Sequence, residues 1–166
     1  MAKHRIGVLS DTHLHAPTDS FKRLAEACFA DVSTIIHAGD LTGTAVLNVF
    51  AGKETHAVRG NMCDVSSCRS LPEYLILKIG GFSIAVTHGA RYSCQNIEEA
   101  LYNDFYPVDC IIYGHTHRAV CHTIGNVLFL NPGSFAATSR YGLPGTYGIM
   151  EIDETINAKI HQVPRL

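Results

Sequence analysis

The sequence predicts one α/β domain over residues 1–166, with an antiparallel last third. Up to about residue 113, short apolar runs alternate with amphipathic segments of helical period, as strands and helices do in turn. Beyond that point, apolar runs follow one another between Gly, Asn and Asp turns. Hydrophobic residues make up 46% of the 166 residues and charged residues 17%, which excludes a disordered chain.

The first half of the chain is predicted to alternate strands with three helices. The first helix, at residues 21–30, places apolar residues at i, i+3, i+4 and i+7 from Phe21, with Asp19 or Ser20 as its cap. The other two helices are predicted at residues 45–50 and 95–105. Strands are predicted at residues 6–9, 34–37, 55–59, 75–79, 82–87 and 110–113.

Antiparallel pairing is predicted at two places. Gly80 and Gly81 separate the strands at 75–79 and 82–87, which is the sequence pattern of a two-residue hairpin. The last third is predicted to contain four further short strands, at residues 119–124, 127–130, 146–152 and 158–163.

Polar side chains follow five of the predicted strands at the point where each strand ends. These residues are Asp11, His13, Asp40, Asn61, His88, His115 and His117. Because ligands bind at the carboxyl ends of strands in open α/β sheets, we expect these side chains to converge on one site. Two pairs are spaced by two residues, so in an extended chain each pair would point the same way.

The chemistry of this set points to metal ions. Imidazole with carboxylate and amide oxygen suits Mn, Fe, Zn or Ni better than Ca. Seven ligands exceed what one tetrahedral ion takes, and they suit two ions that share a carboxylate. Taken singly, Gly-Asp and Gly-Asn are ordinary turn dipeptides, so the prediction depends on the ordered combination.

This ordered set resembles the signature of the calcineurin-like metallophosphoesterase superfamily: D-x-H, G-D, G-N-H-(D/E), a later His and G-H-x-H. The resemblance runs from Leu9 to about Ile152, and the segment 131–134 resembles the compact bacterial and archaeal phosphodiesterase branch. It implies a fold of two packed mixed β-sheets flanked by helices, a four-layer αββα sandwich. It also implies a divalent-metal-dependent phosphoesterase, foremost a phosphodiesterase, that acts on a small phosphate ester.

The resemblance also assigns roles to the residues. It implies Asp11, His13 and His117 on the first metal, Asn61, His88 and His115 on the second, and Asp40 bridging both. A bridging water or hydroxide would attack phosphorus, with Asp40, Asn61 and His88 as the catalytic residues. Two divalent ions are expected, Mn first, with Ni, Zn, Fe, Co or Mg as alternatives.

One segment departs from the family pattern. Where the family has a His after the Asn, this chain has Met62, which cannot donate a proton. Cys63 and Asp64 look like a variant displaced by one residue, and they are expected beside the ligands; a buried thiol is the alternative for Cys63. Without a strong general acid, we expect a preference for leaving groups that depart as stable anions.

Several alternatives stay open at this stage. A trafficking-coat subunit shares the family fold and acts mainly as a protein-binding scaffold, so a metal-binding scaffold is the alternative function. A single structural zinc is disfavoured because the six cysteines form no C-x-x-C pair. Arg59, Arg91 and Arg140 are candidates to meet substrate oxygens, with solvated surface roles as the alternative.

Partners and location are constrained by charge and hydropathy. The net charge of −2 gives no reason to expect nucleic acid as a stable partner or an anionic membrane. No apolar run approaches the length of a membrane span or of a signal segment, so a cytoplasmic protein is expected. A strand edge in the last third makes a homo-oligomer possible.

Overall fold

The computed structural model describes residues 3–136 and 143–166, which form two five-stranded mixed sheets with flanking helices. The strands are β1 His4–Leu9, β2 Thr34–His37, β3 Glu54–Ala57, β4 Tyr74–Ile79, β5 Phe82–Thr87, β6 Cys110–Ile112, β7 Val120–Ile124, β8 Val127–Asn131, β9 Thr146–Ile152 and β10 Ile156–Gln162. The helices are α1 Asp19–Phe29, a 3₁₀ helix Thr44–Phe50, α2 Val65–Ser70 and α3 Ile97–Phe105.

Each sheet has a parallel centre and antiparallel additions. The first sheet has the order β10-β9-β1-β2-β3, in which β1, β2 and β3 are parallel. The second has the order β4-β5-β6-β8-β7, in which β5, β6 and β8 are parallel. Because parallel strands end at the same edge, each sheet gathers several strand ends in one place, and β1 and β2 end with Leu9 beside His37.

The two sheets pack face to face, and helices cover their outer faces. Between the sheets lies a buried apolar layer that includes Val8 and Ile36 from one sheet and Ile84 and Ile112 from the other. A second layer joins the first sheet to α1 and the 3₁₀ helix, and a third joins the second sheet to α3. This arrangement confirms the predicted two-sheet sandwich with helical outer layers.

The helices differ from the prediction in three respects. The predicted helix at 45–50 is a 3₁₀ helix, and the prediction omitted α2, which begins after Asp64. The cap of α1 is Thr18 rather than Asp19 or Ser20, because the Thr18 hydroxyl accepts the Phe21 backbone N–H at 3.1 Å. Among the described residues, 3–136 and 143–166, no helix is long and apolar enough to cross a membrane.

Substitution of Phe29 tests the packing of the apolar layer between the first sheet, α1 and the 3₁₀ helix. Its side chain is fully buried, with ring centroids 5.9 Å from Phe50 and 5.1 Å from Tyr147. We expect Phe29→Ala to lower the free energy of unfolding by about 3–5 kcal/mol because it leaves a cavity. Ile76→Ala is the control, since this side chain is 46% exposed on β4. Urea unfolding monitored by circular dichroism measures both, and equal losses would contradict the assigned packing.

Candidate metal centre

The candidate metal centre lies where strands of both sheets end. Asp11 and His13 follow β1, Asp40 follows β2 and His88 follows β5. His115 and His117 follow β6. The sheet packing therefore brings six of the seven predicted ligands to the same edge of the sandwich, from four strands in two sheets.

The backbone of these residues is unusual. Five of the seven predicted ligands have positive φ: Asp11 (57°), His13 (52°), Asp40 (53°), His115 (67°) and His117 (56°). Side chains other than Gly occupy this region at a cost of about 1–3 kcal/mol each, and such residues cluster at functional sites. The expectation of an extended chain at the paired positions is therefore wrong, and the side chains are aimed by tight turns instead.

Hydrogen bonds between the two loops stabilise these turns. The Asp11 N–H donates to the Gly39 carbonyl at 3.0 Å, and the His13 N–H donates to the Asp40 carbonyl at 3.0 Å. The loops after β1 and β2 thus continue the pairing of their strands. Consequently the two carboxylates are fixed relative to each other by the backbone.

Asp11 is at the centre of the first ligand group. Its carboxylate is fully buried, and Oδ2 accepts the Ser10 hydroxyl at 2.5 Å and the His115 backbone N–H at 3.3 Å. The other oxygen, Oδ1, lies 3.1 Å from His117 Nε2 and 3.8 Å from His13 Nε2. One ligand atom each from Asp11, His13 and His117 lie within 4.8 Å of one another, so the three could hold one ion.

The second ligand group shares Asp11 and adds Asp40 and His88, all three buried. Their ligand atoms also lie within 4.8 Å of one another. His88 Nε2 is 3.1 Å from Asp40 Oδ2, and Asp40 Oδ1 accepts the Met62 backbone N–H at 2.7 Å. In this geometry Asp11 belongs to both groups, whereas the resemblance assigned the bridging role to Asp40; that role stays a prediction.

The residues present fit a bound cation. His88 Nδ1 lies 2.8 Å from the Ala38 carbonyl, which can only accept, so this nitrogen donates. In the neutral imidazole the lone pair on Nε2 then faces the two carboxylates, and this buried atom has no hydrogen-bond partner among the described residues. A lone pair beside two carboxylates is stabilised only by a proton or a metal ion between them.

The pKa shifts of His88 and Asp40 also indicate that the pocket favours positive charge beside its carboxylates. Burial opposes a charge on His88, but the Asp40 carboxylate 3.1 Å away and the negative charge of Asp11 outweigh it and raise the pKa of His88. Burial likewise opposes the charge on Asp40, yet His88, the Met62 N–H and His13 lower its pKa. The pocket thus favours an ionised carboxylate with positive charge beside it.

Two further imidazoles have lowered pKa values. Complete burial lowers the pKa of His37 to about 3, and its Nε2 lies 3.1 Å from the Thr12 hydroxyl, so it acts as a packing residue behind the site. Partial burial and repulsion from His88 lower the pKa of His115. The His115 ring packs edge-on at 5.2 Å from the His88 ring, so an imidazole with a lowered pKa lies beside the buried group.

The segment after β3 forms one wall of the site. Asn61 is exposed and lines a cleft together with His88. Cys63 Sγ accepts the Gly60 N–H at 3.2 Å, and the Asp64 carboxylate caps α2 by accepting the Ser67 N–H at 2.7 Å. Cys63 and Asp64 therefore shape the loop that carries Asn61.

Three polar residues that the ligand prediction omitted support the site. Ser10 donates to Asp11, the Ser134 hydroxyl lies 3.2 Å from the Asp11 carbonyl, and Asn131 Nδ2 donates to the Gly114 carbonyl at 2.9 Å. All three are at most 4% exposed. In the sequence, Ser10 is a polar residue next to a candidate ligand. Asn131 and Ser134 belong to a polar turn directly after an apolar strand.

The remaining candidates from the sequence lie in different places. His15, which is not among the predicted ligands, is exposed, with Nδ1 3.7 Å from an Asp64 oxygen. Arg59 and Arg91 line the cleft beside Asn61 and His88. Arg140 lies outside the described residues.

Known proteins resemble this chain over most of its length. A model of the calcineurin-like phosphoesterase superfamily domain matches residues 5–155. A phosphodiesterase of Methanocaldococcus jannaschii is 30% identical over 165 residues, covering 90% of this chain and 94% of the relative. The crystal structure of a predicted phosphoesterase from Streptococcus pneumoniae matches with a TM-score of 0.75 and 26% identity, over 98% of this chain and 91% of that chain.

Another structural neighbour is not described as a phosphoesterase, and its similarity to this chain shows the fold alone. Vacuolar protein sorting 29 from Cryptosporidium parvum has a TM-score of 0.69 at 18% identity, over 98% of this chain and 99% of that chain. An identity this low carries no information about activity.

Gly60 tests the close packing of the site. A Cβ at this position would overlap Asp40 Oδ1 and lie 2.8 Å from Asp40 Cγ. We expect Gly60→Ala to displace the Asp40 carboxylate and to weaken Mn²⁺ binding by about tenfold or more, as misplacing a metal ligand does. Gly148→Ala in β9 is the control, because a Cβ there meets its neighbours at 3.4 Å or more. Calorimetric titration of metal-stripped protein measures both, and equal affinities would contradict the assigned geometry.

Proposed function

We propose that this chain, which belongs to the calcineurin-like phosphoesterase superfamily, is a divalent-metal-dependent phosphodiesterase acting on small phosphate esters. The observation that carries the proposal is the buried group of Asp11, Asp40 and His88, whose ligand atoms lie within 4.8 Å of one another beside the group of Asp11, His13 and His117. Two adjoining ligand groups with a common carboxylate are the arrangement that a two-metal hydrolytic site requires.

The proposed ligands divide between two ions. Asp11, His13 and His117 would hold the first ion, and His88, His115 and Asn61 the second. Asp40 would serve as a ligand to both ions, and Asp11 is a member of both observed ligand groups. The nitrogen and oxygen donors suit Mn first, and Ni, Zn, Fe, Co or Mg next. When bound, two such ions would act as Lewis acids, neutralise phosphoryl charge and lower the pKa of a water held between them.

The chain's own residues would position these ions. The Ala38 carbonyl fixes the His88 tautomer so that Nε2 is free to coordinate. The Ser10 hydroxyl and the His115 N–H orient the Asp11 carboxylate. Because two dications exceed the charge of two carboxylates, the loaded pocket would be positive and would attract a phosphate diester anion.

Met62 leaves the departing group without a strong acid. Its backbone N–H is used to hold Asp40, and its thioether side chain is 56% exposed and has no proton to give. The leaving oxygen would therefore depart as an anion, protonated by water afterwards. This supports a preference for aryl over alkyl leaving groups.

A protein-binding scaffold is the second candidate. Tyr74 and Ile76 on the edge strand β4 and Tyr106 after α3 are exposed apolar residues, at 52%, 46% and 60%. Such exposure suits a partner surface. A scaffold gives no reason to keep buried carboxylates and a histidine at ligand distance, so the enzyme is the better account of the site.

Metal-dependent hydrolysis tests the proposal directly. Metal-stripped protein re-supplied singly with Mn, Ni, Zn, Co or Mg is assayed on bis-p-nitrophenyl phosphate and p-nitrophenyl phosphate. We expect no activity without metal and a higher kcat/KM for the diester with metal, since the site supplies Lewis acidity only when loaded. Monoester preference would contradict the phosphodiesterase assignment, and inactivity with every metal would favour the scaffold.

Asp40→Asn tests whether activity can be lost while the fold stays intact. Loss of the carboxylate charge between the two proposed ions should lower kcat/KM by at least about a hundredfold, with the circular dichroism spectrum unchanged. Asp31→Asn is the control, because the Asp31 side chain is 66% exposed and lies 3.1 Å from Arg5 at the surface. Retained activity in Asp40→Asn would remove Asp40 from the catalytic set.

The missing acid predicts a steep dependence on the leaving group. For phenyl esters of rising phenol pKa, log kcat/KM should fall with a large negative slope because the anion departs unassisted. Met62→His restores a proton donor at this position, and its slope should be shallower. A flat dependence in the wild type would show that another residue donates the proton.

A further inference from the structure

A cleft beside the metal centre contains two guanidinium groups. Arg59 and Arg91 line it together with Asn61 and His88, so the two arginines share a wall with the proposed second metal site. Their side chains are 41% and 55% exposed, which leaves them accessible to a bound molecule. The loops after β3 and β5 provide both the candidate ligands and the arginines, and their geometry is therefore linked.

Each guanidinium is held in place by hydrogen bonds to other residues of the protein. Arg59 Nη1 donates to the Cys68 carbonyl at 3.2 Å. Arg91 Nη2 donates to the Asp104 carboxylate at 2.7 Å and to the Tyr92 hydroxyl at 2.6 Å, and the guanidinium lies 4.8 Å from the Tyr92 ring centroid. Because both guanidinium groups are already held, they lose less side-chain conformational entropy on binding an anion than two mobile arginines would.

The spacing of the two forks suits one oxyanion. The Glu73 carboxylate already spans them, with Oε2 3.4 Å from Arg59 Nη2 and Oε1 3.5 Å from Arg91 Nη1. These contacts are long and solvent-exposed, and such ion pairs contribute little stability. Among the residues that line the cleft, Glu73 is the one carboxylate against two guanidiniums, while Asp104 pairs with Arg91 from outside that lining.

We infer that Arg59 and Arg91 bind a second phosphate group of the substrate, separate from the phosphoester that the metals activate. This inference rests on the proposed function, because it places the reacting phosphoester at the centre next to Asn61 and His88. A terminal phosphate matches the pair better than a carboxylate does, since it can carry two charges and present oxygens to both forks. The substrate class is thus a phosphodiester that carries a further phosphate on one arm.

Two synthetic esters with the same leaving group test the inference. Propyl p-nitrophenyl phosphate and 3-phosphonopropyl p-nitrophenyl phosphate differ only in the terminal phosphonate. With Mn-loaded wild-type protein, kcat/KM should favour the phosphonopropyl ester by about tenfold or more. Arg59→Gln and Arg91→Gln should each lower this ratio several-fold, and the double variant should bring it close to one; kcat/KM for the propyl ester, measured in every variant, normalises any change at the metal centre.

The control and a binding measurement separate the possible failures. Arg23→Gln, which removes an exposed arginine on α1, should leave the ratio unchanged. Calorimetry should show that propane-1,3-bisphosphonate binds more tightly than propylphosphonate, and that Arg59→Gln and Arg91→Gln remove the difference. A wild-type ratio near one with the propyl ester hydrolysed overturns this inference alone. If neither ester is hydrolysed with any metal, the proposed function fails, and the calorimetry still decides whether the arginines bind phosphate.

Discussion

Two carboxylates, Asp11 and Asp40, are buried with ligand atoms within 4.8 Å of each other, and the architecture of the site depends on compensating their charge. Buried like charges are unstable unless a cation or hydrogen-bond donors lie beside them. The Ser10 hydroxyl and the His115 N–H donate to Asp11, and the Met62 N–H donates to Asp40. His88 compensates the remaining negative charge, which raises its pKa, and a bound metal ion would replace the His88 proton in this role.

The strained turns follow from this requirement. Directing several short side chains at one point needs the chain to reverse immediately after each strand, and left-handed residues achieve this within one or two positions. Their cost is met by the surrounding structure, because the loops after β1 and β2 hydrogen-bond to each other and the ends of the strands that lead into them are buried. The rigid double sheet therefore serves as the support that keeps a strained ligand set in place.

Sequence reasoning reached the fold class and the neighbourhood of the site because both depend on local patterns. The apolar period located the strands, and the polar residue after each apolar run located the candidate ligands. It failed at two helix starts, where a single side-chain cap decides: Thr18 caps α1, and Asp64 caps α2, a short helix without an apolar period. It also could not identify which carboxylate contacts both ligand groups, since Asp11 faces His88 only once the second sheet packs against the first.

The Met62 departure and the arginine cleft have a common consequence for catalysis. An enzyme without a strong acid beside the leaving oxygen must obtain more of its rate from charge neutralisation and from binding energy of non-reacting parts of the substrate. The cleft lies against His88 and Asn61, so a group bound there would fix the orientation of the reacting phosphoester. Met62 in place of the family's histidine would then slow hydrolysis less for a substrate that both the metals and the arginines hold. A substrate held only by the metals would lose more of its rate.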